Sequence, residues 1–237
     1  MPKLEVEKRI SNFLEVEKGY DEENAIKEAQ RCLMCTAGAE VNKDKCVACL
    51  TCVRICPYDV PEIVGDKAYM DPIKCQSCGL CAAECPNQAI KVTATVEQLY
   101  ELQLANRLAI VANRRVKPVV AAVVCQFGHI WGADKTYEVE KSLPKNVALV
   151  RVLCPGRLTP VDFLRAFEYG ADKLLVTCCG EKYCHYSSGN SFTEQRLSLV
   201  RQTLAEAGIG ADKLVTAKIY GETKLADEIA QVVSPAG

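Results

Sequence analysis

Apolar and polar residues alternate on different scales along this chain, and the clearest pattern lies in its second half. From residue 119 onward, short apolar runs alternate with longer amphipathic stretches. Val119 to Val124 is unbroken, Val147 to Leu153 is interrupted only by Arg151, and 173–177 and 213–219 repeat the pattern. Val-rich runs without regular polar alternation predict strands buried on both faces. Helical patterns at about 135–143, 160–169, 192–207 and 222–233 separate or follow them. Pro160 suits the first turn of its helix and Gly208 the stop of the next. Strand–helix alternation of this kind predicts an α/β domain, 118–237, with a four-stranded parallel sheet and helices on its faces.

Upstream, Thr95 and Gln98 have the spacing of a capping box and open a predicted linker helix within 94–117. Val96, Leu99, Leu102, Leu104, Leu108 and Val111 are expected mostly on one face of it. Arg114, Arg115 and Lys117 read as a solvated surface rather than a binding patch. The segment 40–93 is cysteine-rich, with a β-hairpin expected in 58–71 and a closing strand at 89–92. In 1–39, Asp21 is the expected N-cap of a helix, with Glu22 and Glu23 in its first turn, where the helix dipole favours negative charge. Asn24 at the third position leaves the capping box incomplete. Ala25, Ile26 and Ala29 supply a modest apolar face, and the helix runs into Cys32 and Cys35.

Charge and cysteine content narrow the class. A formal net charge of −1 over 237 residues gives no global field toward nucleic acid or an anionic membrane. No apolar run is long enough to span a bilayer, and the start of the chain has no secretory h-region. Fifteen cysteines, an odd number at C-x-x-C spacings, then point to thiolates on metal in a reducing cytoplasmic compartment rather than to a disulfide framework. No G-x-G-x-x-G follows a strand, so neither a flavin nor a nicotinamide site is expected.

The cysteines of 40–93 carry the most specific signal. Cys46, Cys49, Cys52 and Cys56-Pro57 repeat as Cys75, Cys78, Cys81 and Cys85-Pro86, each a C-x2-C-x2-C-x3-C-P run. This resembles the two-[4Fe–4S] bacterial-type ferredoxins, where the fourth cysteine of each run serves the other cluster. Cys46, Cys49, Cys52 and Cys85 are therefore expected on one [4Fe–4S] cluster. Cys56, Cys75, Cys78 and Cys81 are expected on the second, in an α+β ferredoxin-like domain. Zinc is the rival reading of paired C-x2-C spacings, but a zinc site closes with four ligands and leaves the repeated run unexplained.

Cys32 and Cys35 sit at C-x-x-C spacing without two obvious partners. They read as a buried thiol pair, a redox pair or half of a third cluster site. Asn12 to Glu17 and Glu28 to Cys35 resemble the N-terminal cluster-binding region of glutamate synthase small-subunit-type flavoproteins. That resemblance implies that the segment docks on, or descends from, such a flavoprotein.

In the second half, Cys125, Cys154 and the pair Cys178-Cys179 follow three predicted strands, and Cys184 lies in the next loop. Ligands of open parallel sheets collect beyond the carboxyl ends of strands, so a second metal site is expected there. Val124-Cys125, Arg151 to Arg157 and Cys184-His185-Tyr186 through Gly189-Asn190 resemble the delta, iron–sulfur subunit of methyl-viologen-reducing hydrogenase. That family sits between hydrogenase and heterodisulfide reductase. The resemblance implies a [2Fe–2S] cluster on Cys125, Cys154, Cys179 and Cys184. It also implies electron transfer between a hydrogenase- or formate-dehydrogenase-like donor and a flavin-containing reductase subunit. Where the family has C-x-x-C at the first strand end, this chain has Cys125 and Gly128. Cys178 is an alternative ligand or a buried thiol. His129 and His185 are weighed as replacement ligands and favoured as packing or hydrogen-bonding groups.

The expectation from sequence is an electron-relay subunit of a multi-subunit anaerobic oxidoreductase, with no substrate site of its own and hetero-oligomeric partners. A thiol–disulfide reductase using Cys178-Cys179 or Cys179 with Cys184 is the rival from another class, and a redox sensor is the third.

Overall fold

A computed structural model describes residues 2–30, 38–92, 97–129, 140–219 and 225–233. It divides into two compact units, Met1–Cys35 and Thr36–Gly237. In the first, α1 is Val6–Arg9 and α2 is Glu22–Gln30. Asp21 caps α2 as expected, its Oδ1 accepting from the Asn24 backbone N–H at 2.8 Å. Cys32 and Cys35 lie outside the described residues.

The second unit begins with two small antiparallel sheets. β1 (Ala39–Val41) pairs with β4 (Ile90–Val92), and β2 (Pro61–Val64) forms a hairpin with β3 (Lys67–Met70). The hairpin and the closing strand match the expectation; β1, three residues long, has no signal in the pattern. Two short helices, α3 (Thr51–Ile55) and α4 (Leu80–Glu84), follow the two cysteine triplets at equivalent places. Each starts after a left-handed residue, Leu50 at φ 65° and Gly79 at φ 81°. Each ends on an extended cysteine, Cys56 or Cys85, before a proline, which disfavours helix at the preceding residue. The halves are conformational copies: Ala48 and Ser77, Leu50 and Gly79, and Asp59 and Gln88 all share positive φ.

Helix α5 (Glu97–Ala112) then leads to the parallel sheet. Its buried stripe is Tyr100, Leu104, Leu108 and Val111. Leu99 and Leu102 are exposed, a correction to the expected face. The four buried positions keep the spacing of one helical stripe, and Leu99 and Leu102 fall beside it. Thr95 and the side chain of Gln98, like most of the helix expected at 135–143, lie outside the described residues.

The sheet contains β5 (Val120–Cys125), β6 (Val147–Val152), β7 (Lys173–Cys179) and β8 (Leu214–Ile219). All pair in parallel, in the order β6-β5-β7-β8, as the four apolar runs predict. Short α6 (Gln126–His129) follows β5. Helix α7 (Pro160–Glu168) has Pro160 in its first turn and a capping box of Thr159 with Asp162, which the sequence pattern alone had not paired. Helix α8 (Gly189–Glu206) stops at Gly208, φ 73°, where left-handed backbone costs glycine little. Helix α9 (Leu225–Val233) completes the unit.

The pleat sends alternate strand residues to opposite faces. Ala121, Val123, Leu174 and Val176 pack with Phe163, Leu197, Val200 and Leu204 beneath α7 and α8. Val120, Ala122, Val124 and Leu175 pack with Leu225, Ile229 and Val232 of α9. Because β5 has β6 on one side and β7 on the other, the chain reverses its direction of travel across the sheet at β5. The crevice beyond the carboxyl ends of β5 and β7 is the switch point at which such sheets bind ligands.

Candidate metal centres

Cys46, Cys49, Cys52 and Cys85 line one pocket, with Ile63 and Ala68 among its apolar walls. Cys46 and Cys52 are buried, Cys85 is half-buried and Cys49 is exposed. Backbone donors already face two of the sulfurs: Ala68 N–H to Cys46 Sγ at 3.4 Å and Ala89 N–H to Cys85 Sγ at 3.2 Å. Thr51 lies 3.4 Å from Cys49 Sγ, and this contact lowers the Cys49 thiol pKa.

The second set is Cys56, Cys75, Cys78 and Cys81. Burial pushes the Cys81 thiol up to about 12, and Cys78, Cys75 and Cys56 add to the rise. Burial raises Cys78 as well, with Cys56 and Cys75 contributing. Crowded buried thiols resist ionising because desolvation and mutual repulsion both oppose the thiolate; a cationic metal centre removes that obstacle.

The donor set fits an anionic iron–sulfur cluster in two further ways. Left-handed residues at Ala48 and Leu50, and again at Ser77 and Gly79, bend each C-x2-C-x2-C loop into the kind of backbone concavity whose N–H groups bind anions. Non-glycine residues there cost of order 1–3 kcal/mol each, which marks a functional constraint. Ser77 Oγ is also buried in the second loop with no hydrogen-bond partner among the described residues. A buried donor beside such a loop calls for an acceptor.

Two loops and two strand ends gather the carboxy-terminal thiols as two pairs. Cys125 Sγ and Cys179 Sγ are 3.6 Å apart across β5 and β7. Thiolates sharing a tetrahedral metal at about 2.3 Å lie roughly 3.7 Å apart. Cys154 and Cys184 both border Gly189: a Cβ there would come within 2.6 Å of Cys154 Sγ and 3.5 Å of Cys184 Sγ. The two pairs adjoin, since Cys154 feels the charges of both Cys184 and Cys179. Burial pushes the Cys154 thiol up to about 12. Within the first pair, the shared hydrogen bond keeps the proton on Cys125, raising it, and lowers Cys179, to which the His185 backbone N–H also donates.

Glycine makes the second pair possible. A Cβ on Gly156 would collide with the Gly189 carbonyl, so two backbones touch where the turn after Cys154 meets the start of α8. Cys178 stands apart. Successive strand residues point to opposite faces, and it faces the Glu194–Lys218 side, its thiol pushed up to about 11 chiefly by burial. The exposed His185 ring stacks on Phe127 at 3.6 Å and meets Tyr186 edge-on. The His129 side chain lies outside the described residues.

The second and third sulfur sets adjoin. Cys78, Leu80, Cys154 and Tyr186 form one buried cluster, with Tyr58 and Phe127 packed against it. Tyr58 has its hydroxyl pKa raised by burial and then by Cys78, Cys184, Cys56 and Cys154. Arg196, on α8 and 5% exposed, ties the same two regions together. Its Nη1 donates to the carbonyls of Gly156 and, at 3.0 Å, Leu158. Its Nε and Nη2 reach Glu84 Oε1 at 3.0 and 2.6 Å. Sequence patterns pass over Arg196 and Tyr58, since neither belongs to a cysteine motif. Gly156 and Gly189 fall in the quoted segments but carry no sign there of the contact they make.

Residues 120–234 match the family described as methyl-viologen-reducing hydrogenase, delta subunit, and residues 38–86 match a 4Fe-4S dicluster domain. The chain is 34% identical over 180 residues to a subunit of the ferredoxin:CoB-CoM heterodisulfide reductase of Methanosarcina mazei, covering 76% of this chain and 22% of that protein. It is 34% identical over 97 residues to an iron-sulfur subunit of the vhu F420-non-reducing hydrogenase of Methanocaldococcus jannaschii, 41% of this chain and 72% of the relative. Over 53 residues it is 43% identical to the PorD subunit of the pyruvate synthase of Methanothermobacter marburgensis, 22% of this chain and 60% of that one. The chain thus spans 22% of the length of the heterodisulfide reductase subunits it matches. With these matches lying over the sulfur arrays described above, the chain belongs to the delta-subunit family of methyl-viologen-reducing hydrogenase, joined to a dicluster domain for two [4Fe–4S] clusters, and is an iron–sulfur electron-transfer protein related to subunits of heterodisulfide reductase.

Proposed function

We propose that the chain is the electron-relay subunit of an anaerobic, cytoplasmic oxidoreductase complex. It would link a hydrogenase- or formate-dehydrogenase-like donor to a flavin-containing, heterodisulfide-reductase-like or glutamate-synthase-small-subunit-like partner. Cys46, Cys49, Cys52 and Cys85 hold one [4Fe–4S] cluster of a ferredoxin-like domain, and Cys56, Cys75, Cys78 and Cys81 hold the other. Cys125 with Cys179, and Cys154 with Cys184, hold the two irons of a [2Fe–2S] cluster. When bound, these groups would supply one-electron storage and transfer. Around them the chain's own residues exclude water, orient sulfur and fix charge.

The observation that carries this reading is the shared apolar cluster of Cys78 and Cys154. It makes neighbours of two sulfur sets that lie far apart in sequence, while Cys49, at the remote set, is exposed. A route with a buried junction and an exposed terminus suits transfer between partner proteins. Among the described residues no helix is long and apolar enough to cross a membrane.

The test is direct transfer. The loaded chain, reduced by dithionite, is mixed with the flavoprotein copurified from its native cell. Flavin bleaching at the rate of chain re-oxidation is expected; a reduced chain that leaves every copurifying protein oxidised contradicts the relay.

The 3.6 Å separation of Cys125 and Cys179 also favours a second reading, a thiol–disulfide reductase acting through that pair in place of the Cys178-Cys179 or Cys179 and Cys184 pairs expected from sequence. Disulfide-reducing turnover by the isolated chain, abolished in Cys179→Ser, would select it.

A further inference from the structure

Arg157 occupies the junction between the second and third sulfur sets. It ends the turn Pro155–Arg157 that follows Cys154, and it crosses onto the dicluster domain at Gly79. A Cβ on Gly79 would meet Arg157 Cβ at 2.9 Å, Nε at 3.3 Å and Nη2 at 3.4 Å, so the side chain lies along the backbone next to Cys78. Gly79 adopts φ 81° and carries no side chain, leaving room for that approach. The surroundings are the buried apolar cluster of Cys78, Leu80, Cys154 and Tyr186. Charge acts more strongly in such surroundings than in water. An arginine stays protonated throughout the accessible pH range, so this charge is fixed.

We propose that Arg157 is a positioning residue for electron transfer, whose fixed positive charge raises the reduction potential of the cluster seated on Cys56, Cys75, Cys78 and Cys81. One-electron reduction adds one negative charge to the thiolate-bound centre, and a nearby cation favours that product. Arg157 itself is neither oxidised nor reduced. Of the two cubane sets its effect falls on the one beside Cys78, because the pocket of the other is lined by Cys46 to Cys52, Ile63, Ala68, Cys85 to Asn87, Ala89 and Ile90, away from Gly79. The device therefore separates two cubanes whose cysteine runs are otherwise copies of each other. It makes the one at the junction the easier to reduce.

This inference rests on the two-cubane reading, and the experiment separates the two. Wild type, Arg157→Met, Arg157→Lys and Cys78→Ser chains are loaded and titrated with dithionite, with cluster signals followed by electron paramagnetic resonance. In Arg157→Met, one cubane midpoint should fall by at least about 59 mV, a tenfold change in a one-electron equilibrium. It should be the midpoint that Cys78→Ser also moves, and Arg157→Lys should restore most of it. Unchanged midpoints in Arg157→Met, equal shifts of both cubanes, or a fall in Arg157→Lys as large as in Arg157→Met would each overturn the inference. If Arg157→Met does not retain iron, Arg157→Gln against Arg157→Lys is read by the same criteria. A wild-type chain without two cubane signals would instead remove the reading on which the inference stands.

Discussion

Gly189→Ala is expected to lose about two irons per chain while about eight remain, as two cubanes and one binuclear centre require. The added methyl would stand 2.6 Å from Cys154 Sγ and 3.5 Å from Cys184 Sγ, closer to the first than atoms can approach. The sulfur is the only part free to yield, because the Gly189 backbone is fixed at the start of α8. Helix formation does not oppose the change, since Gly189 is the first residue of α8 and alanine is the better helix former. The apo chain should therefore unfold at an equal or higher denaturant concentration while the carboxy-terminal cluster is missing. Gly156→Ala, by contrast, drives its methyl into the Gly189 carbonyl and must displace backbone. It should lower stability as well as iron content. Measuring iron and the unfolding midpoint on both variants separates a displaced ligand from a displaced loop.

Arg196→Met is expected to lower stability by about 3 kcal/mol, read from the guanidinium midpoint of the loaded chain under anaerobic conditions. The methionine fills the volume, so the loss comes from unpaired acceptors: the buried carbonyls of Gly156 and Leu158, and Glu84 Oε1. Glu84 is 36% exposed on its side chain and can rehydrate. That leaves most of the cost on the carbonyls. Arg196→Lys should recover less than half, since an ammonium cannot fork between the turn after Cys154 and the carboxylate beside Cys85. A variant with wild-type stability would mean that the turn is held by Gly156 and Gly189 alone.

Much of this architecture is legible before any coordinates. Val119 to Val124 and its three counterparts became the four parallel strands because Val-rich runs without polar alternation have few other stable uses. The repeated cysteine run marks the dicluster region because each position has a separate geometric duty. Strand ends proved informative too: Cys125 and Cys179 close β5 and β7 and meet across them. What the pattern could not carry depends on tertiary approach. Strand β1 is a three-residue segment specified mainly by its partner β4. The contact of Gly156 with Gly189 joins backbones 33 positions apart, and periodicity has no term for it. Arg196 sits on a helix whose pattern gives no reason to bury an arginine, until Glu84 and two loop carbonyls are seen around it. Leu99 and Leu102 failed in the other direction, being apolar yet exposed, because Tyr100 took the inward place.

Iron and acid-labile sulfide, quantified on the anaerobically reconstituted full chain together with its Mössbauer spectrum, probe the three sulfur sets at once. About ten irons, eight in cubane environments and two in a binuclear one, are expected. About eight irons with no binuclear component would show that Cys125, Cys154, Cys179 and Cys184 hold no cluster, leaving the exposed end at Cys49 connected to nothing beyond Cys78.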